Sequence, residues 1–417
     1  MSADPSGRTG AARELVRMLT AGGLSTDRLA SAPTVADIRS LARRRLPRMA
    51  FDFVDGGAGA ENTLRSNVED LAKVTFRPQS MRDVSQIDLG AEVVGQSLPV
   101  PMVLAPCGLV RVIGGDGELH AVRAAGRAGL TYTISTASSF SIEEIADQAT
   151  GPLWFQLYMW RSEEVVDTLV RRAGEAGCSA VVVTIDVAVN GTRPRDHRNG
   201  MSIPPQITWS NALGGARHPA WLRSLLTGRP LGFRNLQGIA EGSSAMSHQE
   251  YVNTQLANLS ASWDDVVRLR RRWDGALLVK GITSVADARS AADAGADGIV
   301  VSNHGGRQLD STPSSISVLP RIVDAVGDRV DVIMDSGVRT GADVLKAVSL
   351  GAKAAGVGRA WVYGAAAGGD RGVTRVLDIL VAEMRETMIL LGRSSATELD
   401  RDAVSFPQAW RGPEGIA

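Results

Sequence analysis

Eight times after residue 100, a short β-branched run gives way to an Ala-rich segment with helical spacing. The runs are PMVLAP (101–106), TYTIS (131–135), LWFQLY (153–158), AVVVTID (180–186), ALLVKG (276–281), DGIVVS (297–302), VDVIMDS (330–336) and AAGVG (354–358). Most are continuously apolar rather than alternating, the pattern of strands buried on both faces. The segments between them, such as GELHAVRAAGRAG, SEEVVDTLVRRAGEAG, SVADARSAADAG and TGADVLKAVSLG, close on glycine, a common helix stop. Strict strand–helix alternation dictates parallel pairing with right-handed crossovers, and eight such units close a barrel. The expected fold class is α/β, a (β/α)8 TIM barrel over residues 100–392.

The rhythm breaks once. About 90 residues separate the fourth run from the fifth, and the stretch 187–262 is rich in Gly, Pro, Ser and Trp. An insertion of that length is a lid, an interface or a mobile segment. Its cationic and aromatic mix suits peripheral contact with a membrane surface, or packing on a neighbouring subunit. Ahead of the barrel, residues 1–33 read as a flexible N-terminus and 34–99 as a helical cap over one mouth. Within that cap, TVADIRSLARRRLPRMAFDFVDGG reads as one helix entered through Thr34 and closed by Gly56-Gly57. Residues 393–417 form a C-terminal tail.

Forty-five basic and 45 acidic side chains in 417 residues give no reason to expect nucleic acid. The cysteines, Cys107 and Cys178, stand far apart in apolar surroundings and suggest neither a disulfide framework nor a metal cluster. No His/Asp/Glu trio has metal spacing, so no metal is expected. The first residues lack the apolar stretch of a signal peptide, and no run is long enough to cross a bilayer. The expected location is the cytoplasm, with attachment to the inner membrane face left open.

In such barrels chemistry gathers at the carboxyl ends of the strands. Those ends carry Pro106-Cys107-Gly108, Ser135, Gln156 with Tyr158, Thr184 with Asp186, Lys280, Ser302-Asn303-His304, Asp335-Ser336-Gly337 and Gly358-Arg359. The last two, in DSGVRTG and GVGRAW, set glycines beside Arg339 and Arg359 at the corner where this fold binds phosphate. A phosphorylated ligand competes there with glycines that merely turn the chain. Lys280 closes a buried strand; it is paired with a rim carboxylate or functional, because a lone buried ammonium is costly. Of the five histidines only His304 tops a strand, while His120 lies on a helix and His197, His218 and His248 fall in the insertion. With Asp186 at another strand end to orient and stabilise it, His304 is the candidate general base.

These residues, in this order, resemble the FMN-dependent α-hydroxy-acid dehydrogenase/oxidase family, which includes glycolate oxidase, lactate oxidase, mandelate dehydrogenase and bacterial L-lactate dehydrogenases. SNHGGRQLD is nearly the signature of that family. WFQLY, TIDVAVNGTRPRDHRNG, LVKGI, DSGVRTGADVLKA and GVGRAWVYG follow its order and spacing, and the likeness spans roughly 34–395. The insertion looks closest to the bacterial L-lactate dehydrogenase branch.

The resemblance implies FMN, with Gly337, Arg339, Gly358 and Arg359 at its phosphate. Pro106, Cys107, Gly108, Ser135, Gln156, Thr184, Lys280, Ser302 and Asp335 would make up the rest of the cofactor site. It implies oxidation of an L-lactate-like (S)-2-hydroxy acid to the 2-oxo acid. His304 would take a proton as a hydride, or its two-electron equivalent, reaches flavin N5, and Asp186 would stabilise the imidazolium. Arg193 and Arg307 would clamp the substrate carboxylate, and Tyr158 would hydrogen-bond the substrate oxygen. Lys280 would offset the charge that grows on the reduced flavin, and the glycines after His304 would leave room for the flavin edge.

Three positions depart from the family pattern. Phe53 stands where tyrosine is usual, which removes one hydrogen bond to the carboxylate, about 1 kcal/mol. Ala137 stands where some short-chain enzymes carry tryptophan, and Pro194 interrupts a usually charged stretch and tilts Arg193. Either the substrate has a larger or aromatic side chain, or these are neutral changes in a lactate enzyme. The same fold could instead oxidise another Cα–H, in a modified peptide or amine. The final electron acceptor is oxygen, a quinone or a cytochrome. Residues 1–99 hold no histidine for a fused haem domain, and the insertion favours a quinone or external carrier. The family also implies a homo-oligomer, a tetramer.

Overall fold

The computed structural model describes residues 27–201, 214–237 and 258–411. Its centre is a closed barrel of eight parallel strands: β1 (Met102–Leu104), β2 (Tyr132–Ser135), β3 (Leu153–Tyr158), β4 (Ala180–Thr184), β5 (Ala276–Ile282), β6 (Gly298–Val301), β7 (Asp331–Met334) and β8 (Ala354–Val357). Each pairs with its sequence neighbours, and β8 returns to β1 with Val357 opposite Leu104. All eight apolar runs contain a strand, so the fold is the TIM barrel that the alternation predicts.

The strands are apolar throughout because both faces are covered. Helices cover the outside. Inside, Val103, Trp154, Val182, Leu278, Val300 and Ile333 meet in one buried cluster. Val93 and Leu98 join that cluster from a hairpin, Ala91–Val93 with Gln96–Leu98, and so plug the amino-terminal mouth.

The stretch 34–57 ahead of the barrel is two helices rather than one. Thr34 starts the first as expected, its Oγ1 accepting from Asp37 N at 3.2 Å. Pro47 then divides Val35–Arg45 from Arg48–Asp55. Proline disfavours helix at the residue before it, and Leu46 is extended at φ −101°, ψ 143°. The first helix packs on the long terminal helix Arg359–Leu391. The second reaches the carboxyl mouth, where Phe53 and Val54 line a cavity. Residues 34–99 therefore touch both ends of the barrel instead of capping one.

The described part of the insertion carries helices Pro194–Arg198 and Pro219–Thr227 and a 3-10 turn, Arg234–Leu236. The expected membrane contact through 187–262 falls partly on 202–213 and 238–257, outside the described residues, as do 1–26 of the expected flexible N-terminus. No described helix is long and apolar enough to cross a membrane.

Candidate active site

The carboxyl mouth holds a cavity of about 560 Å³, a size typical of cofactor sites. Hydrogen-bonded side chains run around its floor from strand to strand. Ser135 Oγ donates to Gln156 Oε1 at 3.1 Å, and Gln156 Nε2 donates to Thr184 Oγ1 at 3.0 Å. Barrel register sets Thr184 opposite Lys280. Lys280 Nζ donates to Ser302 Oγ at 2.9 Å and lies 3.4 Å from Asp335 Oδ2. Lys280 is therefore paired with a rim carboxylate, and it also lines the cavity. Burial alone would lower its pKa, yet Asp335 and Asp186 outweigh that and hold it above the usual lysine value.

The next residue, Gly281, bulges β5 at φ +105°. A Cβ there would sit 2.8 Å from Asp186 Cβ, so only glycine lets Asp186 pack this close to β5. Asp186 Oδ1 is 3.1 Å from His304 Nδ1. Burial pushes the Asp186 carboxyl up, but His304 and Lys280 outweigh it and hold it below the usual carboxylate range. An ionised carboxylate only accepts, so the proton of this bond lies on Nδ1 and the Nε2 lone pair is left free for chemistry.

His304, Gly305 and Gly306 take left-handed φ values of 59°, 65° and 71° in succession. A histidine in that region is strained and needs fixing from outside. Its own N–H donates to Ser302 Oγ at 3.1 Å. The neighbouring Asn303 exchanges amide hydrogen bonds of 2.8 and 2.7 Å with Asn67. The glycines serve close packing here: a Cβ on Gly306 would lie 2.6 Å from Leu64 N, and one on Gly305 2.6 Å from Arg359 Nη1.

Arginines crowd the rest of the mouth. Arg193 donates through Nε to Asp196 Oδ2 at 2.6 Å, at the start of the short helix that Pro194 opens. Arg307 donates to Phe53 O at 2.8 Å and to Gly56 O at 3.2 Å. The Phe53 ring faces both guanidiniums, with Arg307 5.2 Å and Arg193 5.7 Å from its centroid. Those are cation–π distances, worth about 0.5–2 kcal/mol each. Phe53 thus presents an aromatic face, without a hydroxyl, to both arginines. Its helix is tied down by Asp55, which accepts from Arg39 at 2.6 and 2.8 Å, Tyr363 at 2.8 Å and Arg195 at 3.1 Å.

Arg359 donates to Val54 O, Gly305 O and Gly56 O at 3.0, 2.8 and 2.7 Å, so its side chain ties loops together. Arg339 Nη1 donates to Val338 O at 2.7 Å. Among the described residues none of Arg307, Arg339 and Arg359 forms an ion pair with a carboxylate. Burial, then Arg193 and Arg359, lower the pKa of Arg307.

Phe53, Pro106, Cys107, Gly108, Ser135, Ala137, Gln156, Tyr158, Thr184, Arg193, Lys280, His304, Arg307, Asp335, Gly337, Arg339, Gly358 and Arg359 all line this cavity. Asp186 and Ser302 do not; they stand behind it and hold His304 and Lys280. Burial pushes the Cys107 thiol up to about 12, so it stays protonated. The sequence reading missed an apolar wall of Trp160, Val187, Met201, Phe233 and Leu236. It also missed Asp196, whose i+3 spacing from Arg193 behind a helix-starting proline was a usable signal.

A barrel whose mouth joins a His–carboxylate pair, a charged lysine and a corner of unpaired arginines is an oxidoreductase scaffold for an anionic cofactor. The chain belongs to the FMN-dependent dehydrogenase family, whose profile matches residues 42–406. It is 41% identical over 376 residues to a putative L-lactate dehydrogenase of Mycobacterium tuberculosis, covering 90% of this chain and 89% of that one. It is 42% identical over 373 residues to an L-lactate dehydrogenase of Xanthomonas campestris, covering 89% and 96%. Among solved structures it resembles the monotopic membrane protein (S)-mandelate dehydrogenase, with TM-score 0.84, 38% identity, and coverage of 90% of this chain and 100% of that one. A mandelate oxidase follows at TM-score 0.77 and 37% identity, with coverage of 90% and 98%.

The residues present fit FMN. Unpaired guanidiniums suit its phosphate, and the hydrogen-bonding floor suits a flat heterocycle. A Cβ added to Gly358 would meet only Cys107 Sγ at 3.7 Å and Ala105 Cβ at 4.0 Å, so the start of the last helix is open to a ligand.

Proposed function

We propose that this enzyme oxidises an (S)-2-hydroxy acid with a side chain larger than that of lactate, aromatic or long aliphatic, to the 2-oxo acid. One observation carries the reading: His304, bonded to Asp186 at 3.1 Å, lines the same cavity as Arg193 and Arg307. The names of its relatives, L-lactate dehydrogenase and (S)-mandelate dehydrogenase, support the substrate class. The apolar wall and Ala137 support the larger side chain.

In this reading FMN is held by Arg339, Gly337, Gly358 and Arg359 at one end and by Ser135, Gln156, Thr184 and Lys280 along its ring. Bound there, it supplies the acceptor for the hydride equivalent that leaves Cα. His304 takes the accompanying proton on Nε2, and Asp186 stabilises the imidazolium. Arg193 and Arg307 hold the carboxylate, oriented by Phe53 between them. Burial, and then the Asp186 charge, keep the Tyr158 phenol protonated, so it donates to the substrate oxygen. Lys280, charged beside Asp335, offsets developing negative charge.

The test is anaerobic bleaching of the purified yellow protein by (S)-lactate, a longer aliphatic analogue and (S)-mandelate. Bleaching by at least one is expected, fastest with the larger acids. Flavin-loaded protein left yellow by all of them would overturn the reading and favour another Cα–H substrate.

Three companion readings go with it: a cytoplasmic homotetramer, an external electron carrier, and contact with the inner membrane face. Leu226 is 74% exposed on the insertion helix that also carries Arg223, which suits an anionic lipid surface. Sedimentation, reoxidation by a quinone analogue against oxygen, and pelleting with anionic vesicles test them in turn.

A further inference from the structure

Among the side chains that tie the insertion to the barrel, one buried amide bonds it at two places. Asn235 is 0% exposed although it lies in a segment that leaves the barrel after β4. Its Oδ1 accepts from Ile142 N at 2.8 Å. Ile142 begins the helix after β2, so its N–H has no acceptor within that helix. Its Nδ2 donates to Ser135 O at 3.1 Å and Thr136 O at 3.4 Å, at the carboxyl end of β2. Arg172 Nη1 donates to the Asn235 carbonyl at 2.7 Å, and Arg234 N donates to Ser138 O at 3.0 Å.

The flanking residues give these bonds their meaning. Phe233, two positions before Asn235, and Leu236, one after, both line the cavity. Ser135, Thr136 and Ala137, the chain that Asn235 grips, line it too. One amide therefore joins the apolar wall contributed by the insertion to the floor contributed by the barrel. A short 3-10 turn has little rigidity of its own, so the placement of Phe233 and Leu236 depends on the bonds that anchor the turn.

We infer that Asn235 is a specificity-positioning residue: it latches residues 233–236 onto the end of β2, so that Phe233 and Leu236 form the surface on which the substrate's apolar side chain rests. The inference rests on the proposed function, and it narrows the substrate class to acids whose side chain spans from Cα to that wall. The carboxylate and the Cα–OH are held elsewhere, so loss of the latch acts on large substrates and spares small ones.

The experiment compares wild type, Asn235→Ala, Phe233→Ala and the double variant as FMN-loaded enzymes, with (S)-mandelate and (S)-lactate as substrates. Asn235→Ala is expected to keep its flavin spectrum and to raise KM for (S)-mandelate about tenfold, the lower range for one apolar pocket surface, with kcat changed less. The (S)-lactate constants should move less than about threefold, because that side chain is too short to use the wall. The double variant should be no worse on mandelate than Asn235→Ala alone, because both changes remove one surface. Equal losses on the two acids, additive effects in the double variant, or an Asn235→Ala protein without flavin would each overturn the latch.

If wild type is bleached by no 2-hydroxy acid, the functional reading fails instead. Hydrogen exchange then decides the latch: faster exchange at Ile142 and 233–237 in Asn235→Ala supports it, and unchanged exchange overturns it.

Discussion

Two sets of basic side chains share one cavity and are treated in opposite ways. Lys280 comes with its counter-charge, Asp335 at 3.4 Å, and a hydroxyl from Ser302 at 2.9 Å. His304 likewise has Asp186. Across the mouth, among the described residues, Arg307 and Arg359 donate to backbone carbonyls and form no ion pair. A buried charge left without an anion is costly, and a chain retains it where something else brings the anion. In the proposed reading Lys280 keeps its charge and His304 gains one that Asp186 is placed to stabilise, while the second set stands open to a phosphate and a carboxylate.

The hardest blow to this contrast falls on its paired half. His304→Gln should slow bleaching by about 10²–10⁴-fold, the usual worth of a general base, while the flavin spectrum is kept. Unchanged bleaching would remove His304 from the mechanism.

Unfolding of flavin-free protein in urea then compares the two sets directly. Lys280→Met leaves Asp335 buried without its cation and should cost about 3–5 kcal/mol. Arg307→Met breaks no ion pair among the described residues but leaves the Phe53 carbonyl without its donor, and should cost less, about 1–3 kcal/mol. Equal losses would erase the distinction. In activity the order reverses for binding, since Arg307→Met should raise KM for the acid by about tenfold or more through lost charge-assisted bonds.

A smaller effect is expected from Phe53→Leu, which removes the ring beneath both guanidiniums. About 0.5–1 kcal/mol per contact predicts a several-fold rise in KM with little change in kcat. An unchanged KM would mean that the arginines orient themselves.

The smallest effect is on acid stability. The folded pKa of Asp186 lies below its unfolded value, so its contribution is present above the unfolded pKa. That contribution is lost as pH falls through the lowered folded pKa. Asp186→Asn should therefore flatten the fall of Tm below about pH 4. A fall as steep as that of wild type would show that Asp186 is not held ionised by its neighbours.

Much of the site was legible because strand ends are local features. Ser135, Gln156, Thr184, Lys280 and His304 each follow an apolar run, and barrel closure brings such ends to one rim wherever the helices between them pack. Phe233, Trp160 and Leu236 carry no such mark, since an apolar residue in a long loop reads the same on a surface as in a pocket wall. Asn67 and Asn235 were equally silent: an amide gains meaning only from the groups it meets. The break at Pro47 could be read, but a helix-rich pattern on both sides of it hid the stop.

The chain alone determined the eight-unit barrel, the rim on which chemistry gathers and the residue types available there, because period and strand end are set within a few residues. Which charge is neutralised was left to the tertiary structure. Asp335 meets Lys280, and Asp186 meets His304, only through strand stagger and the bulge at Gly281. Among the described residues, Arg307 forms no ion pair because no strand end sets a carboxylate against it. Pairing depends on distances between residues far apart in the chain, and those are fixed only when the barrel closes.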